Sequence, residues 1–293
     1  MKWQAFTLEN AKRYAEAEAF SKETLARAEK SGADAIRAAM LNNLGLATTA
    51  LGRVEEGVEH QRQSLAIREK LGDRVGQAVS LGSMGLALSS TGRLDEARAH
   101  HQRALQLREE LGDRVGQGYS LMNLGRLAAD AGRTDEALEL FRRSAEVREA
   151  CGDVVRLVDS LEAEAKLLLA AGREADAVER LEQEVRARET LGDPLAEAGT
   201  LTKLGRLLAR RGELERARRL FERALSIVED RRDSAVAMGL APELMKELAQ
   251  LPPAPHASPP RASTADATAN AGAPPPESLP WLAAAALWLH SKV

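Results

Sequence analysis

The sequence predicts an all-α fold of stacked antiparallel helix hairpins, and three observations support this prediction. Hydrophobic residues make up 44% of the 293 residues and aromatic residues only 3%, which is typical of a helical protein rather than an aromatic-rich β-sandwich. Five rows of 40 residues, from Gly32 to Arg231, align without a gap, and such a period indicates a repeat architecture. Leucine and glycine each keep a fixed column in these rows: Leu41, Leu81, Leu121, Leu161 and Leu201, and Gly52, Gly92, Gly132, Gly172 and Gly212.

Each row reads as two helices that are separated by the column glycine. Apolar and small residues fall at helical spacing before that glycine, as in Leu81, Met84 and Leu88, and again after it. The column glycine suits the left-handed position that ends a helix. Asp73 and its equivalents, which follow a second glycine, suit N-caps, and Pro194 suits a first helical turn. The predicted repeats therefore span residues 32–71, 72–111, 112–151, 152–191 and 192–231.

Small residues recur at two further columns, where closely crossing helices need them. The order of these positions resembles the tetratricopeptide repeat: row five has Leu201, Leu204-Gly205, Gly212, Ala217, Phe221 and Ala224, and row three has Leu121, Leu124-Gly125, Gly132, Ala137, Phe141 and Ser144. Row four departs from it, with Glu164-Ala165 in place of Leu-Gly. The period, longer than the usual value of about 34 residues, resembles that of rapsyn-like, LGN-like and kinesin-light-chain-like proteins and of bacterial regulator arrays. This resemblance implies a right-handed superhelical solenoid.

The resemblance also implies a protein-binding scaffold whose first helices line a concave groove. The groove positions at which we expect a partner to bind are Asn42, Asn43, Ser83, Asn123, Arg126, Lys166, Lys203 and Arg206. The N-terminal half of the groove is apolar and small, and the C-terminal half has a basic excess. Such a surface suits an extended or helical peptide with an apolar part next to acidic residues. By resemblance, Asn43 and Asn123 would hold its backbone. The alternative interpretation is a solvated charged face.

Residues 1–31 predict a partial N-terminal repeat. They fill the columns of a second helix, and about ten residues remain for a first helix. This arrangement exposes Trp3, Phe6 and Phe20, although the end of a solenoid normally carries a polar cap. Three interpretations stay open: a short cap, a fragment of a longer chain, or homo-oligomerisation through this half-repeat.

The chain after the fifth repeat divides into three predicted segments. Residues 232–251 read as an amphipathic capping helix that Pro242 breaks near residue 241. Residues 252–280 contain nine of the eleven prolines and predict a disordered linker. Residues 281–293 form a short apolar tail, which is either a marginal helix or a docking motif and is too short to span a membrane.

No motif in the sequence predicts catalysis, a cofactor or a metal site. Phosphate-loop, dinucleotide-binding and His-Glu-x-x-His patterns do not occur. His60 and His100 share a column but lack a carboxylate cluster, and Cys151 lacks a base that would activate it. The net charge of −3 does not indicate a basic surface that would attract nucleic acid. Because the N-terminus has no apolar signal segment, the predicted compartment is the cytoplasm.

The leading function hypothesis is a non-enzymatic scaffold or regulatory module that binds a partner protein or peptide in the groove. The alternatives are a peptide-sensing receptor whose solenoid changes curvature on binding, a self-assembling structural repeat protein, and an accessory part of a larger enzyme or regulator. Arginine outnumbers lysine 32 to 9, as is common in high-GC bacteria, which indicates a bacterial signalling protein.

Overall fold

The structure is a computed structural model that describes residues 2–231 and 234–252, and the described residues form twelve α-helices. The helices are α1 (Lys2–Ser31), α2 (Asp34–Ala50), α3 (Val54–Leu71), α4 (Arg74–Ser89), α5 (Leu94–Leu111), α6 (Arg114–Asp130), α7 (Thr134–Ala150), α8 (Val154–Ala170), α9 (Glu174–Leu191), α10 (Pro194–Arg210), α11 (Leu214–Glu229) and α12 (Ala235–Gln250). The predicted apolar tail, and the predicted linker beyond Pro252, lie outside the described residues. So do the side chains of Trp3 and Phe6.

The turns between the helices follow the glycine–aspartate pattern of the sequence. Gly72 ends α3 in the left-handed conformation, with a φ of 68°, and the N–H of Asp73 donates to the carbonyl of Arg68 at 2.9 Å. The carboxylate of Asp73 accepts a hydrogen bond from the N–H of Gly76 at 2.8 Å and so caps α4. The equivalent carboxylates that cap α6, α8 and α10 are Asp113, Asp153 and Asp193. The N-caps predicted from the sequence are therefore confirmed.

The helices alternate between two kinds. We call α2, α4, α6, α8, α10 and α12 the A helices, and α1, α3, α5, α7, α9 and α11 the B helices. Each of the A helices α2 to α10 packs against the B helix before it and the B helix after it, α12 packs against α11 and α10, and A helices such as α2 and α4 also touch. Since helices pack only on near neighbours in the chain, the array is a solenoid of antiparallel hairpins. The predicted all-α fold is confirmed.

Within a hairpin, the two helices approach closely where the A helix has glycine. A Cβ atom at Gly205 in α10 would lie only 2.5 Å from the ring of Phe221 in α11. Phe141 packs on Gly125 in the same way two hairpins earlier. Ala217, near the same crossing, is fully buried. The small-residue columns of the sequence thus mark positions at which a side chain would hold the helices apart.

Consecutive repeats are also joined by buried or half-buried arginines near the ends of B helices. The guanidinium of Arg108 donates to the carbonyl of Gly116 at 3.0 Å and to the hydroxyl of Ser120 at 2.7 Å, both in the next A helix. Arg148 donates to Ser160 at 2.8 Å and to the carbonyl of Gly118 at 3.3 Å. Arg68 forms the equivalent bonds in α4. These charge-assisted hydrogen bonds fix one repeat on the next.

The two ends of the array differ from the regular hairpins. The residues after Lys2 extend α1 as one continuous helix of 30 residues, without a separate short helix before it. The predicted break at Pro242 is wrong, because α12 continues through this proline to Gln250. Ala237 and Leu244, one on each side of the proline, are buried against the preceding helices. This packing outweighs the backbone hydrogen bond that the proline cannot donate.

Candidate functional site: the exposed face of the A helices

The candidate site is a strip of exposed side chains that occupy equivalent positions in successive A helices. We call this set the groove strip; its members are Leu46, Leu86, Arg126, Lys166 and Arg206, and all are exposed. They stand 40 residues apart in the sequence, so each lies at the same level of its helix. The strip begins with two leucines and continues with three cations. It therefore changes from apolar to basic along the array.

Further apolar residues enlarge the N-terminal part of this surface. Val79 lies two helical turns before Leu86 in α4 and is exposed, and Tyr119 occupies the equivalent place in α6. The ring of Tyr119 is covered on one side by the guanidinium of Arg156, at 4.9 Å from the ring centroid. A cation over an aromatic face at this distance orients the ring. Tyr119 thus keeps a fixed orientation on the exposed face.

The predicted site residues differ in how far they are accessible. Asn43, Arg126, Lys166, Lys203 and Arg206 are exposed on the A helices, and Asn123 is half-buried. Asn42 and Ser83 are buried, which leaves their side chains little surface for a ligand.

Two of the predicted cations are already engaged by carboxylates of neighbouring A helices. The ammonium of Lys203 donates to Glu162 at 3.0 Å, and this hydrogen bond lowers the pKa of that carboxyl. Arg206 donates to Glu247 at 2.6 Å and to Glu243 at 3.0 Å, both in α12, and these bonds raise the pKa of Arg206. The basic excess expected for the C-terminal half of the groove is therefore largely neutralised within the array.

Arg126 and Lys166 stand in a different environment. They line a cleft of about 460 Å³ between α6 and α8, whose other lining groups include Asp130, Asp159 and Glu162. Among the described residues, neither cation has a carboxylate oxygen within ion-pair distance. Lys166 is nevertheless close enough to Glu162 to help lower the pKa of that carboxyl, so its charge is partly balanced within the cleft.

The sequence predicts an apolar N-terminal half of the groove, but the eight predicted binding residues do not include the apolar side chains that are exposed there. Leu46, Leu86, Val79 and Tyr119 fall in columns that face away from the B helices, and four exposed apolar side chains in adjacent helices are a recognisable signal. The sequence gives the repeat positions of these four residues, but only the structure shows that their side chains are exposed.

The part of the chain that the structure describes contains no group of three His, Cys, Asp or Glu side chains arranged to hold a metal ion. Within the same ranges, no helix is both long enough and apolar enough to traverse a lipid bilayer.

Stacked hairpins with a continuous exposed A-helix face define the class of helical-repeat proteins. A profile of the tetratricopeptide repeat matches residues 1–70, 36–110, 78–150 and 116–190, and a second tetratricopeptide profile matches residues 198–230. The chain belongs to the tetratricopeptide repeat family. Comparison with curated protein sequences gives no match.

Solved structures of low sequence identity share this fold. BtubC (BKLC) from P. vanneervenii has a TM-score of 0.64 at 15% identity, covering 75% of this chain and 93% of that one. TPR-like repeats of a Podosopora anserina protein of kinesin-light-chain type have a TM-score of 0.54 at 21% identity, covering 68% and 97%. A Rap protein complexed with competence and sporulation factor has a TM-score of 0.56 at 16% identity, covering 84% and 73%. These similarities establish the fold.

Proposed function

We propose that this chain is a non-enzymatic interaction module that binds a partner protein or peptide along the exposed face of its A helices. The observation that carries the proposal is the set of four exposed apolar side chains, Leu46, Val79, Leu86 and Tyr119, on three consecutive A helices. Apolar side chains that are clustered on a protein surface mark interaction sites. One structurally similar protein is a Rap protein that was solved in complex with competence and sporulation factor, which supports the proposal.

The apolar surface can be tested with two matched double variants. Leu46→Asp/Leu86→Asp places carboxylates in the groove strip, where the leucines are 43% and 49% exposed. Leu71→Asp/Leu111→Asp changes the same residue type at the ends of the B helices α3 and α5, where the leucines are 48% and 37% exposed. Both variants have the same charge and remove similar exposed area, so they differ mainly in location.

The measurement is quantitative affinity capture from an extract of the source cells. We expect proteins that are retained by the wild type and by Leu71→Asp/Leu111→Asp to be lost by Leu46→Asp/Leu86→Asp. Circular dichroism of both variants controls for folding. If the two variants retain the same proteins as the wild type, the A-helix face is not the binding surface.

A second candidate function is self-association through α1. Phe20 is 65% exposed on this helix, and Tyr14 is also exposed, while α2 is the element against which α1 packs in the described array. Sedimentation of wild type and Phe20→Glu over a range of concentrations tests this candidate. A mass that rises with concentration in the wild type alone would support it, and concentration-independent mass in both would exclude it.

A further inference from the structure

A cleft between the B helices α9 and α11 shares no residue with the groove strip. Its volume is about 400 Å³, and its floor contains Leu204 and Leu208 of α10, with Leu220 of α11 beside them. Four arginines and two glutamates complete its lining. A cleft of this size, on which apolar and charged groups converge, is typical of sites that hold small ligands. We call it the arginine cleft.

Two ion pairs cross the arginine cleft and fix the register of its two walls. Arg216 of α11 donates to Glu182 of α9 at 2.7 Å, and Arg223 donates in the same way to Glu189. Arg223 also donates to Glu197 of α10 at 2.6 Å. Both glutamates of the lining are therefore already engaged by arginines.

The other two arginines of the cleft, Arg186 and Arg219, lie between these ion pairs. Arg186 stands between the two glutamates in α9, and Arg219 stands between the two paired arginines in α11. Both side chains line the cleft and are exposed. Within the ranges that the structure describes, neither has a carboxylate oxygen at ion-pair distance. Two cations thus face one cleft without an anion between them.

Other carboxylates close to these arginines in the chain lie outside the arginine cleft. Glu215 and Glu222 are one helical turn before and after Arg219, and neither lines the cleft. Glu149 borders, together with Arg186, the separate cleft between α7 and α9. None of the three forms an ion pair with Arg186 or Arg219 among the described residues. An anion that pairs with both arginines therefore has to come from a ligand.

The two cations are particular to this junction between repeats. At the preceding junction, between α7 and α9, the residues 40 positions earlier are Glu146 and Glu179. At the junction between α5 and α7, neither equivalent residue is a cation. The repeat therefore packs without cations at these positions, so the stability of the fold does not explain Arg186 and Arg219.

We propose that the arginine cleft binds a phosphate monoester, with the phosphate between Arg186 and Arg219 and its organic group over the leucines of α10. A guanidinium donates two parallel hydrogen bonds to an oxyanion. A phosphate monoester has three terminal oxygens and a charge of about −1.5 to −2 at pH 7, so it can pair with two guanidinium groups at once. A carboxylate has one charge and two oxygens, which suit one guanidinium.

This site goes beyond the proposed function, because a partner on the exposed face of the A helices would use none of the residues of the arginine cleft. The test is isothermal titration calorimetry of the full chain at constant ionic strength, with phenyl phosphate, inorganic phosphate and benzoate as probes. We expect phenyl phosphate to bind at least about tenfold more tightly than benzoate, because only the phosphate engages both arginines. It should also bind more tightly than inorganic phosphate, because its ring covers apolar side chains.

A charge-reversed variant locates the phosphate. Arg186→Glu/Arg219→Glu introduces the residues that the preceding junction carries, so we expect it to fold, and circular dichroism checks this. Its affinity for phenyl phosphate should be at least about tenfold lower than that of the wild type. The matched control is Lys70→Glu/Arg114→Glu, which makes the same charge change at exposed positions of the first and third repeats and should leave the affinity within about twofold.

A peptide probe distinguishes the two sources of a phosphate monoester. Ala-Leu-phosphoserine-Leu-Ala is compared with its unphosphorylated form and with phenyl phosphate. Binding of the phosphopeptide at least about tenfold more tightly than phenyl phosphate, and its loss in Arg186→Glu/Arg219→Glu, would support a phosphorylated protein as the source. Tighter binding of phenyl phosphate, with the same loss, would support a small molecule.

Three results would overturn the proposal. These are the absence of binding by both phosphate monoesters, equal affinities for phenyl phosphate and benzoate, and binding that is unchanged in Arg186→Glu/Arg219→Glu. None of them bears on the proposed function, which depends on the capture lost by Leu46→Asp/Leu86→Asp.

Discussion

The imidazole of His101 packs directly against Gly85, so closely that a Cβ atom at Gly85 would lie 2.6 Å from Nε2. In the third and fifth repeats the corresponding pairs are Phe141 on Gly125 and Phe221 on Gly205. His101 therefore occupies an aromatic core position. It is 1% exposed, and neither ring nitrogen has a hydrogen-bond partner among the described residues.

This burial predicts an acid-sensitive second repeat. Burial, and to a smaller degree the charges of Arg108 and His100, lowers the pKa of His101 from 6.5 to about 4. The folded protein thus keeps the imidazole neutral, while the unfolded chain binds a proton near pH 6.5. The contribution of the neutral imidazole to the free energy of unfolding is therefore complete above about pH 6.5. It is lost as the pH falls towards 4, by an amount on the order of 3 kcal/mol.

The measurement is the free energy of unfolding in urea at pH 7, 5.5 and 4. Because carboxylates also titrate in this range, the informative quantity is the difference between wild type and His101→Phe, which introduces the aromatic residue found in the third and fifth repeats. We expect the variant to lose less stability on acidification. Burial also lowers the pKa of His100, so His100→Gln should reduce the loss of stability on acidification as well, but by less than His101→Phe does. Identical pH dependence in wild type and His101→Phe would contradict the assignment.

The sequence predicts those features of this protein that depend on nearby residues. Asp73 caps α4 because it stands three residues before Gly76, and Gly205 admits Phe221 within one hairpin. The pairing of the groove cations with carboxylates cannot be predicted in this way. Lys203 and Glu162 lie 41 residues apart in the sequence, as do Arg206 and Glu247, so their pairing depends on how successive A helices are placed.

Two glycines of α10 are predicted to respond in opposite ways to the same substitution. At Gly205 an alanine methyl would collide with Phe221, at 2.5 Å from Cε1, whereas at Gly199 no atom lies within 4 Å of the added carbon. We expect Gly205→Ala to destabilise the protein by about 1–3 kcal/mol. Gly199→Ala should stabilise it by about 0.5–1 kcal/mol, since alanine favours the helix. Equal effects in urea unfolding would refute close packing at Gly205.

The buried arginines are predicted to control cooperativity between repeats. Arg148→Ala removes the hydrogen bonds to Ser160 and to the carbonyls of Gly118 and Arg156, and should cost about 2–3 kcal/mol because these groups are left unsatisfied. Arg142→Ala, an exposed arginine of the same helix that pairs with Glu139, should change stability by less than about 0.5 kcal/mol.

In a solenoid, a weakened contact between neighbouring repeats allows the two parts to unfold separately. We therefore expect Arg148→Ala to broaden the urea transition or divide it in two, with a lower slope than the wild type. Arg142→Ala should keep a single transition. A sharp single transition for Arg148→Ala, at wild-type slope, would show that this arginine does not couple the third and fourth repeats.

The fourth repeat replaces an apolar pair of the core with an ion pair. Leu124 and Leu140 pack together in the third repeat, and Leu204 and Leu220 belong to one apolar cluster in the fifth. The equivalent residues of the fourth repeat are Glu164 and Arg180, with Oε1 and Nε at 3.5 Å. The second oxygen of Glu164 is buried without a partner among the described residues, and burial raises the pKa of this carboxyl.

Restoring the apolar pair is therefore predicted to stabilise the protein. Glu164→Leu/Arg180→Leu should raise the free energy of unfolding by about 1–4 kcal/mol, because two charges no longer need to be desolvated. Arg180→Leu alone should be destabilising by about 3–5 kcal/mol, since it leaves the carboxylate buried and unpaired. Its deficit should shrink as the pH is lowered, because burial raises the pKa of Glu164 and this carboxyl binds a proton before an ordinary glutamate does. A double variant less stable than the wild type would mean that the ion pair contributes more than two leucines at this position.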